Sequence, residues 1–471
     1  MPSQSASSKL LKNAVELLPR PDRKGALEFA QHLFDGSVGE DLNEQSAETV
    51  SSVIGSALAA SNRAPKETLR VEALADGLTL LTICMANRPF ILDSILAEVN
   101  VHDVDVELIA HPVIDSKSGR SISLIVVVLT QTSAAERKDL KASLSGILQQ
   151  VKLVTGDWRS MLLRVDEELE TFRATPPPLP TEQIAEAIQF LQWLTNNNFT
   201  FMGLREYFYK GDQKSGELKS VPGSALGILR DDELSVMTRG GKPVPLTPEI
   251  REFLFGGDPV IITKANMRSQ VHRRAHLDYV GIKRFTRDGQ LAGELRIVGL
   301  FTSSAYTKSV MTIPLLRHKA NAVLEHYGTD SGSHSGKAMI NILETWPRDA
   351  MFQIDQKTLS RFVKVAAQLE ERPRIRALPR LDKFDRFVSI MTYVPRDRYD
   401  SATRASMGEY LAKVYDGYLS AFYPVFLENG LVRIQFIVGR ASGKTPKIPR
   451  NELERQITAI TRTWSDRLRQ E

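Results

Sequence analysis

Between Leu81 and Ile114 the apolar positions change their period twice. Leu81 to Ala86 are almost all apolar or small, as a buried strand requires. Asn87-Arg88-Pro89 breaks the run, with Pro89 where a first helical turn tolerates it. Ile91, Ile95 and Val99, flanked by Leu92 and Leu96, then recur at helical spacing. From Val104 the period drops to two: Val104, Val106, Leu108 and Ala110 face one way, Asp105, Glu107 and His111 the other. The stretch predicts strand, helix, strand, without a Gly-x-Gly-x-x-Gly turn. Ser121–Thr132 predicts a further strand, apolar on both faces as a doubly covered strand should be, so its second face should meet the following domain or another subunit. After a cap position at Ser133, Leu140, Leu144, Ile147, Leu148 and Val151 form a helical stripe. The order β-α-β-β-α matches the first five elements of a split-βαβ, ferredoxin-like domain. No closing strand is evident, because residues 156–174 read as helix, with Trp158, Met161, Leu162, Val165, Leu169 and Phe172 on one side.

Residues 1–66 read as helix, polar loop and helix, and the prolines of Thr175–Pro180 make the clearest linker. A capped amphipathic helix from Thr181 and a strand from Phe199 follow, then apolar or alternating segments at Ser224–Arg230, Asp258–Asn266, Leu277–Thr286 and Gly293–Ser303. Arg287-Asp288-Gly289 is a turn between two of them. Helix first and several antiparallel strands after predicts an α+β domain with one sheet face under helices. Residues 305–371 read as helical connectors, with Ser331–Gly336 as a flexible joint and Asp355 placed to cap a helix. A second β-α-β-β segment follows: a strand at Phe387–Pro395, a helix capped near Asp400, and a hairpin through Asn429-Gly430. The last residues, from Asn451, read as a helix leading out towards further domains.

Composition narrows the class. A chain of 471 residues, 42% apolar and 25% charged, is an ordinary globular protein of about three domains. The 61 basic and 56 acidic residues nearly balance, which does not suggest nucleic acid as a partner. No apolar run approaches the ~20 residues of a spanning helix, so no membrane partner is expected, and the N-terminus has no secretory h-region. The single cysteine, Cys84, lies inside an apolar strand and reads as a small buried hydrophobe. The cytoplasm is the expected compartment.

The search for chemistry finds no phosphate-binding loop, no Gly-x-Ser-x-Gly elbow and no His-Glu-x-x-His helix, so no catalytic, cofactor or metal residue is assigned. Histidines 111, 272, 276, 318, 326 and 334 show no metal-ligand spacing. The densest polar cluster is Ala265–Phe285, which places Arg268, His272, Arg273, Arg274 and His276 close together. It could grip a carboxylate or phosphate, but as a strand it reads first as a solvated or subunit-contacting face. It is also the sole support for a hydrolase or transferase reading. Arg372, Arg374, Arg376 and Arg380 suggest an exposed edge strand protected by charge.

At TKANMRSQVHRRAHLDYVGIKRF, LFTSSAYTKSVMTIPLLRHK, NILETWPRDAMFQID and FDRFVSIMTYVPRDRY the chain resembles the N-terminal region of the large single-polypeptide NAD-dependent glutamate dehydrogenases of bacteria. AHPVID, FMGLREY and ALGILR add weight. The resemblance implies an α+β fold: two ferredoxin-like ACT-type domains flanking a PAS-like α+β domain, joined by helices. It implies an N-terminal helical segment at 1–69, ACT-type domain 1 with its trailing helix at 70–174, a PAS-type domain at 181–320, a helical connector at 321–372, ACT-type domain 2 at 373–440 and a C-terminal helix at 441–471. The implied role is non-catalytic: regulation and oligomerisation of an enzyme that converts L-glutamate to 2-oxoglutarate and ammonia. NAD would bind in a downstream catalytic domain and no cofactor in this chain. The implied partners are further copies of the chain, that downstream domain and a small-molecule effector. A free-standing ACT/PAS sensor is the alternative.

In ACT domains ligands bind at the first β–α turn, where a glycine lets backbone amides approach a carboxylate. Here that turn is Asn87-Arg88-Pro89-Phe90, and Phe90 carries a side chain where glycine is usual. Packing and assembly are the expected role of this turn. Asn87, Arg88, Pro89 and Phe90, with the five residues of the Arg/His cluster, are the candidate effector or interface positions.

Overall fold

The computed structural model describes residues 2–462, apart from 37–38, 64–65, 116–120, 213–215, 233, 235, 240–241, 244–250, 252–253 and 331. The chain forms two compact units, residues 1–158 with 268–275, and residues 159–267 with 276–471.

The first unit opens with four helices, α1 (Pro2–Leu17), α2 (Ala26–Leu33), α3 (Gly39–Asn43) and α4 (Ala47–Ser61). Strands β1 (Thr68–Ala73) and β2 (Thr79–Ala86) follow, then α5 (Ile91–Val101), β3 (Val106–Ala110), β4 (Val113–Asp115) and β5 (Ser121–Leu129). The sheet runs in the order β1-β2-β5-β3, with β4 beside β5. Every pairing is antiparallel, and Leu81 faces both Val71 and Val127. The strand that a split-βαβ domain places last therefore comes first here: β1 takes the edge beside β2, and the chain leaves the sheet on a helix. No closing strand follows the second helix because β1 already fills that edge. β1 leaves no clear signal in the sequence, since its residues are only half-buried and show no apolar run.

All but the first residue of β5 are buried. Leu124, Val126 and Val128, with Leu80, Cys84 and Leu108, pack against Leu11, Ala14, Ile54 and Ala57 of the N-terminal helices. The second face of the strand is thus covered by this chain's own first 61 residues, not by the middle domain or another subunit as its two-faced pattern suggested. Such burial contributes about 1.5–3 kcal/mol per large aliphatic side chain.

The helix α6 (Ala134–Ala174) begins with the predicted cap, here a reciprocal box. The Glu136 amide donates to Ser133 Oγ at 3.2 Å, and the Ser133 amide to Glu136 Oε2 at 2.7 Å. Two predicted helices are one helix of 41 residues, about 60 Å at 1.5 Å per residue. Met161, Val165, Leu169 and Phe172 are buried, but Trp158, assigned to the same face, is 47% exposed.

In the second unit, α7 (Thr181–Trp193) starts after Pro180 without a side-chain cap. Then come β6 (Phe199–Lys210), β7 (Glu217–Ser220), β8 (Leu226–Gly227), and the two-residue strands β9 (Thr238–Arg239) and β10 (Lys242–Pro243), which pair with each other. Next are β11 (Val260–Arg268), β12 (His276–Phe285) and β13 (Leu291–Phe301). Their sheet runs β11-β12-β13-β6-β7, with β8 beside β6. The predicted turn at Arg287-Asp288-Gly289 joins β12 to β13, with Gly289 at φ 79°. Helices α8 (Ser303–Thr307), α9 (Leu316–His326), α10 (His334–Thr345), α11 (Arg348–Gln353) and α12 (Gln356–Glu371) follow, and the sheet and these helices share one apolar core. Asp355 Oδ1 caps α12 as predicted, accepting from the Thr358 amide at 2.9 Å. The expected joint at Ser331–Gly336 is instead a helix start: Ser333 Oγ accepts from the Gly336 amide at 3.0 Å, while residue 331 lies outside the described residues.

The last part repeats the first. β14 (Arg376–Leu381), β15 (Phe387–Pro395), α13 (Ser401–Val414), β16 (Tyr418–Phe426), β17 (Leu431–Gly439) and α14 (Arg450–Ile460) build a sheet in the order β14-β15-β17-β16. Again the edge strand comes first and a helix last. Asp400 caps α13, accepting from the Thr403 amide at 2.7 Å, and Gly430 holds the hairpin with φ 76°. β14 is the edge strand the arginines suggested, but it is half-buried: Arg376 Nη1 lies 3.0 Å from Glu454 Oε2 on α14. That helix does not trail away, since Leu453 and Ile457 are fully buried in the sheet's core. Residues 463–471 lie outside the described residues.

Candidate functional site

The turn between β2 and α5 is held from several sides. The Asn87 amide donates to Ser121 O at 2.9 Å, and Ser123 Oγ to Asn87 Oδ1 at 2.8 Å. Arg88 Nη1 reaches Thr155 Oγ1 on α6 at 3.0 Å, while Pro89 is exposed. Phe90 is the N-cap of α5 and has φ 72°, the left-handed region that glycine favours. The glycine-like backbone of the turn is therefore kept although the glycine is not, at a cost of about 1–2 kcal/mol for a non-glycine residue.

The strain is held by the connection between β11 and β12. Arg268 ends one strand and His276 begins the next, so the Arg/His cluster is a loop rather than a strand. The loop is braced internally: the Ser269 amide donates to Ala275 O at 2.8 Å, and Val271 is buried. His272, itself at φ 68°, lays its ring 4.9 Å from that of Phe90. Its amide donates to Ser94 Oγ at 2.8 Å, and its Nδ1 lies 3.0 Å from Asp93 Oδ2. Ser94 Oγ in turn donates to Phe90 O at 2.5 Å. Further along α5, Arg274 pairs with Glu98, which is buried and also meets Ser143 of α6 and His102.

Two of the candidate groups thus come together through Phe90, His272 and Arg274. Arg268 and Arg273 are exposed on the loop. His276 stands apart, in the second unit, with Nε2 3.2 Å from Ser420 Oγ. Asp93, Ser94 and Glu98 were missed. The signal for Glu98 was present: an acid sits one turn beyond Ser94 and between Ile95 and Val99, on the apolar side of the helix. Burial raises the pKa of Cys84. Among the described residues no group of three or more His, Cys, Asp or Glu could hold a metal ion.

The second unit buries two charged clusters that sequence reasoning also missed. Lys264 Nζ sits 2.7 Å from Asp278 Oδ1 and 2.7 Å from Asp349 Oδ2, and Tyr306 donates to Asp349 at 2.8 Å. Burial pushes the Asp278 carboxyl up to about 7 against the pull of Lys264. Arg386, fully buried, donates to both oxygens of Asp382, to Thr263 Oγ1 at 2.8 Å and to Lys264 O at 2.6 Å.

Two sheets of the same unusual order, each carrying an α5-like helix after its second strand, define a protein with tandem ACT-type modules. Sequence models of three glutamate dehydrogenase domains match it: the ACT1 domain over residues 29–150, helical motif 1 over 313–372 and the ACT2 domain over 376–465. The three matches follow one another along the chain in that order. It is 30% identical to the NAD-specific glutamate dehydrogenase of Halomonas elongata, across 83% of this chain and 25% of that protein. It is 28% identical to the enzyme of the same name from Pseudomonas aeruginosa, across 82% and 25%, and 24% identical to that of Mycobacterium tuberculosis, across 70% and 20%. The chain therefore spans about a quarter or less of the length of these relatives.

Proposed function

We propose that the chain is the N-terminal regulatory and assembly region of an NAD-dependent glutamate dehydrogenase, whose parent reaction takes L-glutamate, NAD and water to 2-oxoglutarate, ammonia and NADH. The observation that carries this reading is the ordered match to ACT1, helical motif 1 and ACT2 on a chain whose two like sheets come before and after a helical and β-sheet stretch in sequence. NAD and the reacting groups belong to the remaining three quarters of such a protein. The sheet of β6 to β13 beside its helices supports a PAS-type middle domain. Self-association and a cytoplasmic location are part of the same reading; among the described residues no helix is long and apolar enough to cross a membrane.

Within this reading the turn at Asn87–Phe90 serves packing rather than effector capture, because Ser94 and the Phe90 ring are already engaged by the loop at 268–275. The test is an assay of purified chain with glutamate and NAD, alongside light scattering for mass. No NADH formation and a mass above that of one chain are expected. Turnover by the isolated chain would overthrow the reading.

A further inference from the structure

A cavity of about 90 Å³ lies within the second unit, walled by the sheet of β14 to β17, by β11 and by α11. Lys264, Arg386 and Arg380 all reach it. Lys264 is held between Asp278 and Asp349, and Asp349, a carboxylate on the wall, also accepts from Tyr306. Arg386 forks onto both oxygens of Asp382 and donates further to Thr263 Oγ1 and Lys264 O. Arg380 differs. It stands half-buried on β14, its guanidinium 6.0 Å from the centre of the Phe387 ring. Among the described residues its side chain makes one hydrogen bond, from Nη2 to Gln353 Oε1 at 3.3 Å, and no ion pair. The carboxylates that act on it from further off are committed elsewhere: Asp382 to Arg386, and Asp355 Oδ1 to the Thr358 amide. A guanidinium carries several N–H donors in one plane, so most of this fork is unspent where it borders the cavity.

An unspent planar fork beside a small cavity selects a ligand that presents two oxygens side by side and little else. We propose that this cavity binds a small oxyanion, its paired oxygens on the Arg380 guanidinium and its remainder against Ala421 and Ile437. Room is short: about 90 Å³ is far below the roughly 300 Å³ at which drug-sized sites begin. Acetate or phosphate fits such a space and a two-ring aromatic acid does not. Tyr418 and Tyr423, both on the wall and both exposed, mark the way in from solvent.

Thermal unfolding of the whole chain tests this, in a buffer free of small oxyanions, with acetate, phosphate and naphthoate set against chloride at matched ionic strength. A saturable rise in melting temperature is expected for acetate or phosphate, and none for chloride or naphthoate. Whichever of the first two binds more tightly identifies the source, a carboxylate or a phosphate. Arg380→Gln should abolish the shift. Arg380→Lys, which keeps the charge without the fork, should weaken binding by about tenfold or more. Ala421→Leu, which fills the cavity and changes no charge, should abolish the shift while the unliganded protein stays folded. No saturable response to acetate or phosphate, an equal response to chloride or naphthoate, or an undiminished response in any of the three variants would each overturn the proposal.

Discussion

The rings of Phe90 and His272 meet at a tilt of 43° with centroids 4.9 Å apart, and both residues hold positive φ. Two strained backbones meet at one contact, and each helps to keep the other in place. Phe90→Gly relieves the strain and loses the ring, whereas Phe90→Ala loses the ring and keeps the strain. The alanine variant should therefore be less stable than the glycine variant by about 1 kcal/mol, read from urea unfolding. Equal stability of the two would show that the left-handed backbone of Phe90 costs nothing.

Glu98 is the anchor of the same loop. Glu98→Gln leaves the Arg274 guanidinium without its carboxylate, so residues 268–275 should open more often. Trypsin should then cleave after Arg268, Arg273 or Arg274 severalfold faster than in the parent chain, with global stability lowered by roughly 1–3 kcal/mol. Unchanged cleavage would mean the loop is held by Phe90 and Ser94 alone.

Much of this contact was legible in pieces and not as a whole. The turn at Asn87–Phe90 and the cluster at Arg268–His276 each stood out, the first by its broken apolar run and the second by its charge density. Nothing in the sequence ties them, because a contact between residues about 180 apart leaves no periodicity. The burial of Leu108 and Ala110 and the caps at Ser133, Asp355 and Asp400 were readable because they are local, whereas Val106, assigned to the same face, is exposed beside a register shift. Local rules misled where a loop looks like a strand: no glycine or proline interrupts Ala265–His276, yet Ser269 and Ala275 close a turn between β11 and β12. Lys264, Asp278 and Asp349 could not be grouped, since three separate elements supply them.

Ile54 is fully buried between α4 and the sheet. Ile54→Ala should cost about 2–5 kcal/mol and lower the melting temperature of the first unit, as expected for a large-to-small core change. A loss within ~0.5 kcal/mol, the range of an ordinary surface change, would show that the N-terminal helices do not seal that face.

Lys283 is buried on β12 and donates to Gly256 O at 2.9 Å. Burial pushes its pKa from 10.5 down to about 8, against the opposing pull of Asp258 and Glu294. Between about 8 and 10.5 the unfolded chain holds this proton and the folded chain does not, so stability from this group rises with pH across that window. The slope difference between the parent chain and Lys283→Met should approach ~1.4 kcal/mol per pH unit there and vanish below pH 7. Parallel pH curves would mean the folded lysine titrates as a solvated one.

Arg386→Met should strand the buried Asp382 and cost about 3–5 kcal/mol, while the double change with Asp382→Leu should recover much of it. Calorimetry of the single and double variants reads this directly, and strict additivity would exclude the pair as a unit.

Placing the edge strand first has a consequence for synthesis. A nascent chain carries every strand of its first sheet once Leu129 has left the ribosome, and every strand of its last once Gly439 has. In the split-βαβ order the sheet would stay open on one edge until a strand beyond the second helix arrived. Here α6 and α14 emerge after every described strand of their sheets, so neither sheet waits for a strand from downstream sequence.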